Sequence, residues 1–274
     1  MFHGGLAPAV DRCVEAYAAG RPLLLLFDYD GTLAPLRRRP DQARIPSPTR
    51  QLLTRLARRP RVAVGIISGR SLDDLRRMCL LEGLVYVGTA GLEWDLFGTR
   101  GSHPQARRLH RTMAVLNRRL ARVVAPFAGA WVENKHLALT VHYREVPDEE
   151  VPSLLERVEA AVAPYRPSVC MVPAPEALEI YPEVGWDKGG MVRWLAEQIP
   201  GSQPLILYAG DAANDQPALE AVEALGGVAV AVGAQVRASY WVPGPRAICE
   251  LLAGLEAKLP FGSPPRPATP GAPT

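Results

Sequence analysis

Asp28-Tyr29-Asp30-Gly31-Thr32 places two carboxylates two residues apart, directly after the apolar run Leu23 to Phe27. Five consecutive apolar residues are the pattern of a strand buried on both faces, as in a parallel sheet. The two acids therefore stand at the carboxyl edge of a sheet, where doubly wound folds bind ligands. Gly31 permits a tight turn there and lets the backbone approach an anion closely. Asp and Gly are ordinary turn residues, so the pair alone carries little; the buried strand feeding it is what gives it meaning.

Three later positions complete a constellation suited to phosphoryl transfer. Ser68 ends the apolar run Val62, Val64, Ile66, Ile67, so its hydroxyl can hydrogen-bond a phosphate oxygen or cap the segment that follows. Lys188, within Trp186-Asp187-Lys188-Gly189-Gly190, begins a helix, an end where the dipole disfavours a cation unless it faces an anion. Gly210-Asp211 follows the run Leu205 to Ala209, and Asn214-Asp215 lies just beyond, adding two carboxylates at the same edge. Acids converging in this way repel one another unless a cation sits among them. A hard ion with oxygen ligands, keeping some waters and taking a phosphate oxygen, fits this set, so Mg²⁺ is the expected metal. No His/Cys grouping supports zinc.

The elements that must position these residues follow a regular grammar. A leading helix from Pro8 to Ala19 precedes the first strand. Ser47-Pro48 with Leu52, Leu53 and Leu56 reads as a helix with a Ser cap and Pro in its first turn. A strand from Arg61 to Ile67, a short helix from Ser71 and a strand from Leu84 to Val87 follow. Later come a helix Lys188 to Ile199, a strand Leu205 to Ala209, a helix Asp215 to Leu225, a strand Val228 to Val232 and a helix Pro245 to Leu259. Strands alternating with helices at this spacing argue for right-handed βαβ units.

Between Ser102 and Pro182 the pattern changes. Leu109, Met113, Leu116, Leu120, Val123 and Phe127 step by four and three, giving one apolar helix face. Most arginines of this stretch lie off that face, without interleaved aromatic residues for stacking, so they read as a solvated face rather than a polyanion site. Strands Ala130 to Asn134 and Leu137 to Arg144, a helix near Asp148 to Tyr165, and strands Ser168 to Val172 and Ala177 to Tyr181 complete an αββαββ block. The expected fold is thus α/β, a doubly wound parallel-sheet core formed by 1–101 and 183–260, with an inserted α+β cap at 102–182. Residues 261–274, dense in Pro, Gly and Ser, are expected to be a disordered tail.

Alternation assigns the cap strands a polar face. Glu179 lies between Leu178 and Ile180, so it points away from the helices that bury those two. His142 and Arg144 have a parity opposite to Leu139, Val141 and Tyr143, and Glu133 and Lys135 share one side. A face carrying Glu133, Lys135, His142, Arg144 and Glu179 suits a polyhydroxyl ligand, or else is plain solvated surface.

Composition sets the outer bounds. The 274 residues, 48% hydrophobic and 22% charged, are ordinary globular usage and allow a sizeable core. A net charge of +3 implies neither nucleic acid nor membrane as partner. The longest early apolar run is far short of the ~20 residues of a membrane span, and no basic region with a long apolar stretch suggests a secretory signal. The cysteines Cys13, Cys79, Cys170 and Cys249 are widely spaced, so reduced thiols in the cytoplasm are expected. Only Lys135, Lys188 and Lys258 are lysines among 31 basic residues, which marks sites where a compact point charge is needed. Sequence leaves the oligomeric state open.

Asp28-Tyr29-Asp30-Gly31-Thr32, Ser68, Lys188 and Gly210-Asp211-Ala212-Ala213-Asn214-Asp215 resemble the four motifs of the haloacid-dehalogenase superfamily of phosphohydrolases. The αββαββ block resembles the type IIB cap of its sugar phosphatases. More narrowly, Val132-Glu133-Asn134-Lys135, His142-Tyr143-Arg144 and Leu178-Glu179-Ile180 followed by Lys188-Gly189 are similar to trehalose-6-phosphate phosphatases. The resemblance runs from about Leu24 to Leu252. It implies Asp28 as nucleophile, forming an aspartyl-phosphate, and Asp30 as the acid that protonates the leaving sugar oxygen and then activates water. It also implies Mg²⁺ held by Asp28, the Asp30 carbonyl and Asp211 with Asp215 in support, and a phosphoryl group bound by Thr32, Ser68 and Lys188. The substrate implied is trehalose 6-phosphate. Two stretches depart from the family: Ala90-Gly91-Leu92-Glu93 stands where H-G commonly precedes the Glu, and Gly210-Asp211-Ala212-Ala213-Asn214-Asp215-Gln216 replaces G-D-D-x-T-D-E. Every acid the metal needs is kept; the sugar is what the departures leave open. Phosphatases of sucrose phosphate or glucosyl-phosphoglycerate are the nearest rivals. A phosphoacceptor signalling domain would leave Asp30 and the cap unused, and a sugar-sensing domain would leave the intact acids unused.

Overall fold

The computed structural model describes residues 3–4, 6–37, 39–199 and 203–260; the tail expected at 261–274 lies outside them. The chain opens with β1 (His3–Gly4), α1 (Leu6–Ala18), β2 (Leu23–Phe27), α2 (Ser47–Ala57), β3 (Val62–Ile67), α3 (Leu72–Cys79), β4 (Val85–Gly88), β5 (Glu93–Leu96) and β6 (Thr99–Ser102). The middle contributes α4 (Pro104–Arg108), α5 (His110–Val124), β7 (Trp131–Asn134), β8 (Leu139–His142), α6 (Val151–Val162), β9 (Val169–Ala174) and β10 (Ala177–Pro182). It closes with α7 (Lys188–Gln198), β11 (Leu205–Gly210), α8 (Gln216–Ala224), β12 (Val228–Val232), β13 (Tyr240–Val242) and α9 (Pro245–Lys258).

A nine-stranded sheet has the order β1-β13-β12-β11-β2-β3-β4-β5-β6. From β2 the chain moves outward through β3 and β4, then later returns to β2's other side through β11, β12 and β13. Those strands are parallel, with Leu23 opposite both Val62 and Leu205. The order reverses between β2 and β11, and the carboxyl ends of these two strands form the crevice that such a switch point creates. Alternation explains the two-sided burial. Leu23, Leu25 and Phe27 join α1, α2, α3 and α9 on one face, whereas Leu24 and Leu26 join α7 and α8 on the other.

A separate antiparallel sheet has the order β7-β8-β10-β9. Leu139, Val141, Ile180 and Val169 bury one of its faces against Met113, Leu116 and Leu120 of α5 and Leu154 and Val158 of α6. A small apolar seam of Leu92, Ala106 and Leu137, with Tyr181, Val184 and Trp186 against it, joins the two sheets.

Several local expectations are corrected. Ser47 is the first residue of α2 and caps nothing; Pro46 occupies the cap position, and no side chain satisfies the free amides there. The apolar helix after 102 is two helices, α4 and α5, with Leu109 between them, and Val124 rather than Val123 is the fully buried residue of its last turn. The large sheet is not wholly parallel: the hairpin β5–β6 pairs antiparallel to β4, from Val85 opposite Leu96 to Gly88 opposite Glu93. Its sequence, Glu-Trp-Asp-Leu and Thr-Arg-Gly-Ser, is too polar and short to announce a strand.

All four cysteines are free. Among the described residues, no helix is long and apolar enough to cross a membrane.

Candidate active site

Because β2 and β11 are neighbours, the residues that follow them meet. Asp28 continues the ladder, its N–H donating to the Ala209 carbonyl at 2.9 Å. Asp211 comes one residue after β11. Gly31 turns the chain with φ +83°, and a Cβ there would lie 2.0 Å from Asp211 Oδ2. Only glycine lets the Asp28 loop close down on Asp211.

Lys188 reaches this edge from the first residue of α7. Its side chain is 1% exposed, and Nζ donates to Asp28 Oδ1 at 2.7 Å and to Asp215 Oδ1 at 2.6 Å. Burial pushes the ammonium toward neutrality, but the Asp215 and Asp28 charges outweigh it and hold the lysine protonated well above its usual range. The anion that a lysine at a helix N-terminus should face is therefore present. Asp187 caps the same helix, accepting from the Gly190 N–H at 2.8 Å.

Asp215 is the anchor of the cluster. One oxygen accepts from Lys188 and from the Tyr208 hydroxyl at 2.5 Å; the other accepts from the Asp211 and Ala212 N–H groups at 3.1 and 3.0 Å. Four donors fill the roughly four lone-pair directions of a carboxylate, so Asp215 holds the Asp211 loop and the lysine in place. Asp28, Asp211 and Asp215 each offer a carboxylate oxygen within 4.8 Å of the others. Burial, followed by the Asp215 charge, raises Asp28 well above the ordinary carboxylate range. The same two causes, in the same order, lift Asp211 to about 6. Three crowded acids with one lysine keep an excess of negative charge in oxygen donors alone, which suits a hard divalent cation and no soft one.

Asp30 stands apart from that cluster. Its carboxylate accepts two hydrogen bonds from Arg70, from Nε at 2.6 Å and from Nη2 at 2.7 Å, a forked geometry that fixes its plane. Thr32 is fully buried and donates to Asp211 at 3.4 Å. Ser68 accepts from the Arg70 N–H at 3.2 Å, whereas the helix cap proper is Ser71, which accepts from the Asp74 N–H. The Ser68–Gly69–Arg70 loop is braced by the next strand end: Thr89 N–H donates to the Arg70 carbonyl at 2.7 Å and Ala90 N–H to the Ser68 carbonyl at 2.9 Å. Thr89 has φ +50°, a costly conformation for a β-branched residue.

The open face of the smaller sheet carries most of its expected polar set. Lys135, buried, donates to Glu179 Oε1 at 3.2 Å and lies 4.0 Å from Glu133. Glu133 Oε2 is 2.9 Å from His142 Nε2. Burial would raise the Glu133 carboxyl, but the His142 hydrogen bond and the Lys135 and Arg70 charges outweigh it and hold Glu133 below its ordinary range. Tyr181 donates to Glu179 Oε2 at 2.8 Å. This face meets the large sheet's edge: a Cβ on Gly69 would lie 3.9 Å from Glu179 Oε1. Arg144 lies beyond the end of β8, is exposed, and pairs with Glu176 of the β9–β10 turn.

Sequence reasoning passed over Arg70, Tyr208 and Tyr181. Arg70 had a usable signal, as a cation three residues beyond a strand that ends at the acidic edge. The tyrosines had none, because each reads as an apolar strand residue until its hydroxyl meets a carboxylate.

A switch-point sheet with paired acids, a buried lysine and an inserted α+β unit defines a haloacid-dehalogenase-type fold. A haloacid dehalogenase-like hydrolase from Bacteroides thetaiotaomicron superposes with TM-score 0.60 at 16% identity, over 85% of this chain and 99% of that one. The chain belongs to the trehalose-phosphatase family, whose model matches residues 26–240. A trehalose-phosphate phosphatase of Mycobacterium tuberculosis is 33% identical over 204 residues, 72% of this chain and 51% of the relative. An uncharacterized glycosyl hydrolase of the same species is 31% identical over 258 residues, 88% of this chain and 19% of the relative. The chain thus spans about half or less of the length of these relatives. The C-terminal domain of C. albicans trehalose-6-phosphate phosphatase superposes with TM-score 0.74 at 21% identity, over 90% of this chain and 96% of that one.

Proposed function

We propose that this chain hydrolyses trehalose 6-phosphate to trehalose and phosphate, using Mg²⁺ and an aspartyl-phosphate intermediate, in the cytoplasm. The observation that carries the reading is the meeting of two unlike surfaces. The Asp28–Asp211–Lys188 edge suits a phosphoryl group, and the Glu133–Lys135–Glu179 face directly across from Gly69 suits sugar hydroxyls. Residues 102–182 act as the cap over a catalytic unit formed by 1–101 and 183–260. Free, widely separated thiols fit a reducing compartment.

Asp28 attacks phosphorus; the bond from phosphorus to the sugar oxygen breaks, and that oxygen leaves with a proton from Asp30. Water then attacks the aspartyl-phosphate, Asp30 takes its proton, and phosphate leaves with Asp28 regenerated. Asp30 is oriented for both transfers by the Arg70 fork. Lys188, Thr32 and Ser68 bind the transferring oxygens, the lysine offsetting their charge at a buried site. Asp28, Asp211 and the Asp30 carbonyl would hold Mg²⁺, with Asp215 steadying Asp211; when bound, the ion supplies charge neutralisation for the phosphoryl oxygens. Splitting the hydrolysis into two attacks matters because phosphate monoesters are among the slowest substrates to hydrolyse unaided.

Phosphate release across a panel tests the reading: trehalose 6-phosphate, sucrose phosphate, glucosyl-phosphoglycerate, glucose 6-phosphate and an aryl phosphate, each with and without Mg²⁺. Trehalose 6-phosphate should give the highest kcat/KM, and turnover should vanish with chelator. A preference for another phosphorylated glycoside would move the assignment to that substrate. Phosphorylation of the protein with no steady turnover would point to a phosphoacceptor domain.

Glu179 provides a sharper test of the cap. Hydrogen bonds to charged groups contribute roughly 1.5–3 kcal/mol each, so Glu179→Ala should cost about tenfold to a hundredfold in kcat/KM for trehalose 6-phosphate. Aryl phosphate hydrolysis should hardly change. Lys135 relies on Glu179 as its near partner, so melting temperature is measured alongside. Equal losses on both substrates would assign Glu179 to the fold or the metal site, and no loss on either would return this face to solvated surface.

A further inference from the structure

Trp131 opens β7 on the polar face of the smaller sheet, directly opposite His142 in register. Its indole stacks on the His142 imidazole, with ring centroids 4.1 Å apart and planes 16° from parallel. One ring face is thus covered by a partner, yet the residue remains 51% exposed. A large aromatic left half in water beside charged residues forgoes a substantial apolar gain.

Its surroundings connect it to the reacting edge. Arg70 clamps Asp30, Glu133 lies within reach of the Arg70 charge, His142 bonds Glu133 at 2.9 Å, and Trp131 covers His142. This row leads from the acid beside the nucleophile outward along the sheet. Trp131 stands two residues beyond Glu133 on the same face, about 7 Å farther out at the rise of a strand, a step comparable to one pyranose ring. Glu133 and Glu179 both pair with Thr140 in register and so share one step of the sheet, one step from Trp131 and His142, and of this step Glu179 lies beside Gly69. A phosphorylated ring seated there would direct its glycosidic partner toward Glu133, His142 and Trp131.

We infer that the Trp131–His142 stack is the platform for the second, unphosphorylated sugar ring, and that Trp131 thereby sets the preference for a disaccharide phosphate over a monosaccharide phosphate. The inference rests on the open face being the sugar-binding surface. The C–H face of a pyranose is apolar and fits the indole, while its hydroxyls reach back toward Glu133, one step inward along the strand. Binding sites combine apolar contact with a few placed polar groups in this way.

The experiment compares wild type, Trp131→Ala and Trp131→Phe on trehalose 6-phosphate, glucose 6-phosphate and an aryl phosphate, with trehalose as a competitive inhibitor. Trp131→Ala should raise KM for trehalose 6-phosphate and Ki for trehalose roughly three- to tenfold, the size of an aromatic contact. Its kcat should stay within about twofold, its KM for glucose 6-phosphate should not move, and Trp131→Phe should recover most of the loss. An equal rise for glucose 6-phosphate, a loss on all three substrates with a lower melting temperature, or no change in trehalose Ki would each overturn the inference. Wild type that shows no disaccharide preference would overturn the underlying reading as well, and this is seen before any variant is compared.

Discussion

Asp28→Asn should abolish turnover while leaving a protein at least as heat-stable as wild type. The substitution keeps the side chain's shape and its place at the end of β2 but removes the attacking charge. Loss of a nucleophile whose partners act only through it costs on the order of 10⁴-fold or more in kcat. Stability should move the other way. Asp28 is buried beside Asp211 and Asp215, and burial with those like charges disfavours its ionised form more than Lys188 favours it. Taking that charge away relieves a cost that the fold bears for the sake of the chemistry. Lys188 retains Asp215 at 2.6 Å, so its own charge is not orphaned. Single-turnover assays and thermal denaturation of metal-free protein check both halves. Appreciable phosphatase activity in a well-folded Asp28→Asn protein would end the covalent mechanism, whereas a melting temperature several degrees below wild type would contradict the view of this cluster as electrostatically strained.

The parts of the molecule that sequence reveals are those in which one local pattern has one physical solution. The run Leu23 to Phe27 allows little besides a strand covered on both faces, and the strand occupies those residues. Its two acids then had to stand at the sheet edge, and Lys188 at the head of a helix had to find an anion. The scarcity of lysine was informative as well. Of the three, Lys135 and Lys188 are buried against carboxylates, and only Lys258 lies in an ordinary exposed pair, with Asp11. Alternation placed Glu133, Lys135, His142 and Glu179 on one face because a half-buried sheet enforces parity. Arg144 escaped that rule because β8 ends at His142, and parity means nothing beyond a strand's last residue. The hairpin β5–β6 was hidden for another reason. It lies at the sheet's margin, where pairing with β4 through backbone hydrogen bonds needs no apolar pattern. Arg70 and Tyr208 depend on contacts across 40 and 7 residues, and no local spacing encodes those.

Lys188→Met should damage both stability and catalysis, and a divalent cation should repair only the first. Among the described residues, Lys188 is the one cation bonded to both Asp28 and Asp215 in a buried site. Methionine fills most of the space but removes the positive charge from between the carboxylates, leaving Asp215 with neutral donors alone. Removing one partner of a buried ion pair typically costs about 3–5 kcal/mol, because the remaining charge stays desolvated and uncompensated. That loss should appear in denaturant unfolding of the metal-free variant. Adding Mg²⁺ should raise the variant's stability more than that of wild type, since binding to the folded state alone stabilises by mass action and the carboxylates no longer have a lysine to share. Turnover should not return. The ammonium is proposed to face the transferring phosphoryl group, and loss of one such stabilising donor costs about a hundred- to a thousandfold in kcat. Full rescue of kcat by Mg²⁺ would mean that Lys188 serves only to hold the acids together. Stability within about 1 kcal/mol of wild type without metal would mean instead that the acid cluster tolerates the absence of its lysine.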